Sequence, residues 1–321
     1  MDDKRQPPRL WLPRYKIIEP RDPLICRIGV KGRFQLTALG PDGVTVCRHR
    51  PWFDNLITDQ GMDALASSSG WGIARVGTDN TTPNVADTAL GAEVANGSSV
   101  QATSRSTNPS SPYEMHSTVT YRLGPAGSNH NLAEVGIGSL FSHALIVDGV
   151  GSPTTFPWNT GEFLDIAYEF IVYPPLADSM DTVDGYDVVG RASGAGTSAW
   201  RMVQGGTFLA SAHIPTVGAT AYSGAIGAIT GVPSGTLAGA SSHANVSYTP
   251  GSFERGLSVS YGLDDGNVGG IAAATCRFGN SNPVSSSART EINFQASYDP
   301  VIDKSNDDLL TLNYLLSWAR V

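Results

Sequence analysis

Apolar and polar side chains take turns along most of this chain. In the run from 164 to 172, Leu164, Ile166, Tyr168, Phe170 and Val172 share one face, with Asp165 and Glu169 on the other. Ile292, Phe294, Ala296 and Tyr298 alternate in the same way with Glu291, Asn293, Gln295 and Ser297. The closing run places Leu310, Leu312, Tyr314, Leu316 and Trp318 on one side. Shorter examples are Val119 and Tyr121, then Ala133, Val135 and Ile137, then Leu257, Val259 and Tyr261. A period of two gives one buried and one wetted face, the mark of antiparallel sheets rather than of a βαβ chain. The predicted fold class is all-β: an antiparallel β-sandwich or jelly-roll with one short helix, long loops and an extended N-terminal arm.

Local signals place the elements. Residues 33–39 and 44–47 flank Gly40-Pro41-Asp42-Gly43, whose Pro and Gly suit a tight turn, so a hairpin is predicted there. A helix is predicted near 58–66: Thr58 or Asp59 can cap it, Met62, Leu65 and Ala66 form its apolar stripe, and Gly70 ends the segment. Residues 77–117 are rich in Thr, Asn, Ser and Pro and read as long surface loops. Residues 190–245 are dominated by Gly, Ala and Ser and read as low-charge loops or thin strands suited to close approach by another chain. Pro7, Pro8, Pro13, Pro20 and Pro23 forbid helix in residues 1–23, which read as an extended arm. A solvated tail would not carry so much large apolar surface, so the arm is expected to lie against its own body or a neighbour. Pro7, Pro8, Leu10, Trp11, Leu12, Tyr15, Ile17 and Ile18 are its candidate subunit-interface residues. A break at Pro174-Pro175 gives a β-sandwich domain over 24–176 and a Gly/Ala/Ser-rich β region over 177–321. The last strands, 290–321, can equally return to the first sandwich.

Composition supports this picture. Among 321 residues, 36 Gly and 20 Pro supply frequent turns, while charged residues are only 16 %. The net charge of −8 is uneven: residues 1–50 carry 11 Lys and Arg against five acids, which leaves the body strongly acidic. A basic leading segment can therefore dock on the acidic body of another copy. Nucleic acid is not an expected partner, since no finger, RNP or helix-turn-helix signature is present. The three cysteines, Cys26, Cys47 and Cys276, are too few and too scattered for a disulfide scaffold or a zinc site. They read as free thiols, with Cys26 and Cys47 flanking the hairpin closely enough to meet. Neither a secretory leader nor a membrane span is expected: the first 25 residues lack an apolar run, and the most apolar stretch, 224–240, is broken by Gly, Ser and Pro.

Candidate chemistry is thin. His49, His116, His130, His143, His213 and His243 show no metal-binding or acid-paired spacing and read as surface or loop residues. No GxSxG elbow or Walker A string occurs, and Gly194-Ala195-Gly196-Thr197-Ser198-Ala199 does not open a helical pattern. Asp178, Asp181, Asp184 and Asp187 lack EF-hand spacing and read as a solvated acidic loop; Asp264, Asp265 and Asn267 beside Gly266 read as a hairpin turn. Carboxylate pairs for glycoside hydrolysis come from distant strands and leave no local trace, but β-helix repeats are missing. No catalytic residue, cofactor or metal is expected.

Several stretches carry a resemblance. Asn55-Leu56-Ile57-Thr58-Asp59-Gln60-Gly61-Met62 follows the opening hairpin, and Val76-Gly77-Thr78-Asp79-Asn80 leads to Pro83 and Asp87-Thr88-Ala89-Leu90, with Asp79 where glycine is more usual. Further on come residues 133–138, 140–146 and 162–175, and the chain closes through Asp299-Pro300-Val301-Ile302-Asp303-Lys304 to Ser317-Trp318. Over about 30–176 and 290–321 the chain resembles tail-associated structural proteins of tailed double-stranded DNA bacteriophages. The resemblance implies a non-catalytic tail, fibre-attachment or baseplate component, made in the host cytoplasm and located in the virion. Its partners would be its own copies and other virion tail proteins. The alternatives are a receptor-binding module for host-surface glycan and a capsid or neck decoration protein.

Overall fold

The computed structural model describes residues 16–18, 23–67, 71–197, 200, 219–239, 242–279 and 291–321. The leading strands are β1 (Lys16–Ile18), β2 (Leu24–Leu39), β3 (Val46–Asp54) and β4 (Leu56–Ile57), followed by helix α1 (Asp59–Ser67). Then come β5 (Ala74–Gly77), β6 (Glu93–Gly97), β7 (Ser99–Thr107), β8 (Met115–Leu123), β9 (His130–Leu132), β10 (Glu134–Ile137), β11 (Ser142–Leu145), β12 (Phe156–Trp158) and β13 (Phe163–Tyr173). The remainder is β14 (Ser179–Val183), β15 (Tyr186–Ala192), β16 (Ala219–Tyr222), β17 (Leu237–Gly239), β18 (Ser242–Asn245), β19 (Glu254–Tyr261), β20 (Ile271–Phe278), β21 (Ile292–Ile302) and β22 (Asp308–Arg320). The fold is all-β with one described helix, as the alternating pattern predicts.

A nine-stranded sheet, ordered β18-β19-β22-β2-β13-β8-β7 with β1 on β22 and β3 on β2, curls into a half-barrel. Its axis is β2, whose residues alternate as far as Ala38: Leu24, Cys26, Ile28, Val30, Phe34, Leu36 and Ala38 are all buried. One edge of β2 pairs with β13 from Gly29↔Tyr173 to Leu39↔Phe163. The other edge is shared: residues 24–30 run parallel to 314–320 of β22, and residues 33–39 pair antiparallel with β3. The parallel β2–β22 and β1–β22 ladders are where the sheet departs from the antiparallel rule.

Two layers cover the inner face of this sheet. A five-stranded sheet, β4-β11-β10-β5-β6, together with α1, lies over the β13 side. The contact is aromatic: Trp71 meets Phe141, Tyr168 and Phe170 edge-on, with centroids 5.6, 5.3 and 5.2 Å away. A six-stranded sheet, β14-β15-β21-β20-β16-β17, lies over the β22 side, where the Tyr298 and Tyr314 hydroxyls stand 3.3 Å apart. Both layers share one apolar core. The region after 177 therefore contributes to two sheets, with β18, β19 and β22 completing the sheet that β2 begins.

Helix α1 begins where its cap chemistry requires. Thr58 Oγ accepts the Gly61 amide at 3.0 Å, donates to the Leu140 carbonyl at 2.5 Å, and is fully buried. Gly61 must be glycine, because a Cβ there would collide with the Phe141 carbonyl. Arg320, at the end of β22, fastens the same turn through the Ile57 carbonyl and the Asp59 carboxylate at 2.6 and 2.5 Å. Met62, Leu65 and Ala66 are buried as expected. Replacing Thr58 with alanine should cost about 1–2 kcal/mol in urea unfolding, and serine should recover most of it by keeping the cap oxygen.

Several expectations are corrected. The 77–117 stretch holds β6, β7 and the start of β8 in addition to loops, whereas the short strands β16, β17 and β18 within 190–245 match the thin strands expected there. The acidic stretch is a β-hairpin: β14 and β15 pair through Val183↔Tyr186, and Asp184 and Gly185 turn the chain at φ 48° and 86°. Asp178 stays exposed and clasps Arg191 at 2.7 and 2.6 Å. Residues 262–270 form no hairpin, because β19 and β20 belong to different sheets. That crossover is fixed by Lys304, only 3 % exposed, which donates to the Gly262 carbonyl at 2.7 Å and the Asn267 side-chain oxygen at 2.9 Å. Cys47 is exposed near the hairpin turn, whereas Cys26 lies about 40 Å of strand away at ~3.3 Å per residue. Cys26 instead faces Cys276 of the six-stranded sheet, both buried and free.

Candidate functional site

Residues from three of the resembling stretches meet beside β10 and β11. Glu134 opens β10, the central strand of the small sheet, and is 1 % exposed because that strand is covered on both faces. One carboxylate oxygen accepts the amides of Ala92 at 2.8 Å and Asp79 at 3.4 Å. The other accepts the Gly91 amide at 3.0 Å and faces His143 Nε2 at 3.1 Å. His143 Nδ1 faces the Asp87 carboxylate at 2.8 Å, and Asp87 also accepts the Asn84 amide at 2.7 Å. Gly77 leaves room for the arrangement: a Cβ there would strike the Glu134 carboxylate and the Ala92 carbonyl. The Val85 carbonyl in the same loop accepts the Asp59 amide at 2.7 Å, so the junction also anchors the start of α1.

This junction is a clasp. Each ring nitrogen of His143 faces a carboxylate, and the ring is 4 % exposed, so it has no free position from which to take a substrate proton. Burial alone would raise the Asp87 carboxyl, but the Asn84 amide and His143 together hold it below the usual carboxylate value. His143 is thus neither a surface nor a loop residue, which corrects the sequence reading. Among the described residues no group of three or more His, Cys, Asp or Glu is arranged to hold a metal ion.

A second polar network lies on the wetted face of the large sheet. Arg122 grips Asp165 through both oxygens at 2.6 and 2.7 Å. Glu169 is shared by Arg33 and His116, and Arg33 also lies over the Trp52 ring at 4.9 Å. His116, on β8 and half-buried, has its pKa raised chiefly by Glu169 and further by Glu114, against the opposing effect of burial. Burial would raise the Glu169 carboxyl, yet His116 and Arg33 bring it below its ordinary value.

These directions set a pH window. A raised histidine pKa stabilises the fold fully below its unfolded value of 6.5, and the gain is lost as pH rises through the higher folded value. A depressed carboxylate pKa stabilises above 4.5 and fails as pH falls through the lower folded value. The pair should therefore contribute most between those limits. Substituting His116 with glutamine should flatten the fall in stability above neutrality, as read from urea midpoints between pH 6 and 9.

Of the predicted arm, the described parts are Pro23 and β1, which pairs Lys16, Ile17 and Ile18 with Asp308, Leu309 and Leu310 of its own chain. Ile17 is 64 % exposed and open to contact. Pro7, Pro8, Leu10, Trp11, Leu12 and Tyr15 lie outside the described residues. The surface feature that the sequence reading missed is β7. It ends the nine-stranded sheet, and from Ser99 to Ser106 it is exposed on both faces. Among the described residues no helix is long and apolar enough to cross a membrane. Comparison with models of known protein families, with curated proteins and with solved structures finds no match.

Proposed function

We propose that this chain is a non-catalytic structural subunit of a phage virion, placed in the tail, the fibre attachment or the baseplate and acting through contacts with its own copies and other tail proteins. The observation that carries the reading is the closed Asp87–His143–Glu134 junction. Polar residues in the stretches that resemble tail proteins are used there to hold sheet, loop and helix together, with their hydrogen-bonding capacity directed inward. A rigid frame of this kind suits a part that transmits position rather than one that turns over a substrate.

The test is to purify the particles whose genome encodes the chain, quantify it by mass spectrometry and locate it in a density map. The expected result is a copy number that is a multiple of the tail symmetry, with density in the tail. Absence from assembled particles, density confined to the capsid, or efficient turnover of a polysaccharide by the pure chain would overturn the reading.

A further inference from the structure

Lysine is among the residues least often buried. Lys304 is nonetheless 3 % exposed, and its Nζ meets three neutral oxygens: the Gly262 carbonyl at 2.7 Å, Asn267 Oδ1 at 2.9 Å and the Ser305 carbonyl at 3.3 Å. Burial lowers the Lys304 pKa against the opposing charges of Asp308, Asp265 and Asp264, so the neutral, nucleophilic amine is more available than on a surface lysine. The Asn267 amide is held facing this amine. Its Nδ2 donates to the Leu263 carbonyl at 2.7 Å and to Asn306 Oδ1 at 2.6 Å, which occupies the NH₂ end and turns the carbonyl end toward Lys304. Asn267 Cγ lies one C=O bond, about 1.23 Å, behind Oδ1, so Nζ is no more than about 4 Å from it. Amine and amide held at this range react as one molecule rather than as two that must meet, the condition under which a sluggish electrophile is attacked.

We infer that Lys304 and Asn267 join covalently: Lys304 Nζ displaces ammonia from the Asn267 side-chain amide, and the resulting isopeptide bond locks the β19–β20 crossover to the β21–β22 connection. The neutral amine adds to Cγ, forming the new C–N bond. A proton passes from the attacking nitrogen to Nδ2, the Cγ–Nδ2 bond breaks, and ammonia leaves while Oδ1 remains as the carbonyl of the new amide. The reaction consumes no oxidant or other co-reactant. The carboxylate of Asp308 can carry the proton: its charge acts on Lys304 more than that of Asp265 or Asp264, and the Ser305 amide and hydroxyl fix it at 2.8 and 2.7 Å. The bond closes a loop that contains β20 and β21 of the six-stranded sheet, at the points where the chain leaves β19 and enters β22 of the large sheet. It therefore staples the two sheets where they exchange strands, and it restricts the unfolded chain as any cross-link between distant residues does. The inference goes beyond the assembly reading and holds whatever particle or partner the chain serves.

The test is covalent and uses the full chain. After folding and incubation at alkaline pH, the protein is weighed intact by mass spectrometry and then digested with trypsin. The expected mass is that of the sequence less one ammonia. Trypsin should leave the chain uncut after Lys304 and release a branched peptide that joins Lys304 to Asn267. Lys304→Arg keeps the positive charge without the nucleophilic amine, and Asn267→Ala removes the amide. Each variant should show the full mass of its own sequence and no branched peptide. Mass reports the bond whether or not a variant is less stable, so a purely structural role for Lys304 would leave it unmoved. An unaltered chain that keeps its full mass would overturn the inference. So would an ammonia loss that survives Lys304→Arg, which would assign it to ring closure at an asparagine. The assembly reading stands or falls separately, on the particle map.

Discussion

Replacing Glu134 with alanine is expected to destabilise the fold by about 3–5 kcal/mol, because it strips a buried acceptor from several donors at once. The Ala92, Gly91 and Asp79 amides and the His143 ring all converge on this carboxylate. None gains a substitute from a methyl group in a site that is 1 % exposed. Glutamine keeps one carbonyl oxygen for the amides but turns an NH₂ group toward the remainder, so its cost should be about half as large. Urea titrations of the two variants against the unaltered chain measure both values. If the alanine variant lost less than about 1 kcal/mol, the clasp would be a bystander and its support for a structural role would disappear.

The second large effect belongs to Trp71. Its ring fills the space between the five-stranded layer and the large sheet, and its carbonyl accepts the Tyr121 hydroxyl. Trp71→Ala removes edge-to-face contacts with Phe141, Tyr168 and Phe170 and leaves a void among side chains that already pack closely. The expected loss is about 3–5 kcal/mol, with phenylalanine restoring part of it. A cavity here should also loosen one layer from the other. Hydrogen exchange ought to rise in β10 and β11 before it rises in β19 and β22. Uniform exchange across both layers would mean that the two halves of the core unfold as one unit.

What the sequence made legible follows from burial. β19, β21 and β22 are wetted on one side and packed on the other over much of their length, so their alternation is plain in the residue order; β13 alternates in sequence although both its faces are buried from Ile166 to Val172. β7 has neither face covered, so its Ser, Thr and Gln carry no periodic signal and read as loop. β10 fails in the opposite sense: with both faces buried, Glu134 looked like the wetted partner of Ala133 and Val135. The clasp joins residues 56 and nine positions apart, a spacing no local motif encodes. The β14–β15 turn does carry a local signal, Asp184-Gly185 between two short apolar-containing runs, which marks a two-residue hairpin. The helix cap is legible in the sequence because Thr58, Gly61 and Met62 act within one turn of each other.

The parallel pairing of β2 with β22 bears on how the protein comes into being. Leu24 finds its neighbour in Tyr314, nearly the whole chain later in synthesis. While a ribosome is still adding residues, half of one side of β2 waits without its mate, and a waiting strand invites strangers. Production of this molecule should therefore be limited by the interval between making its first long strand and its last, which makes slow translation or crowding by sister chains a hazard to yield.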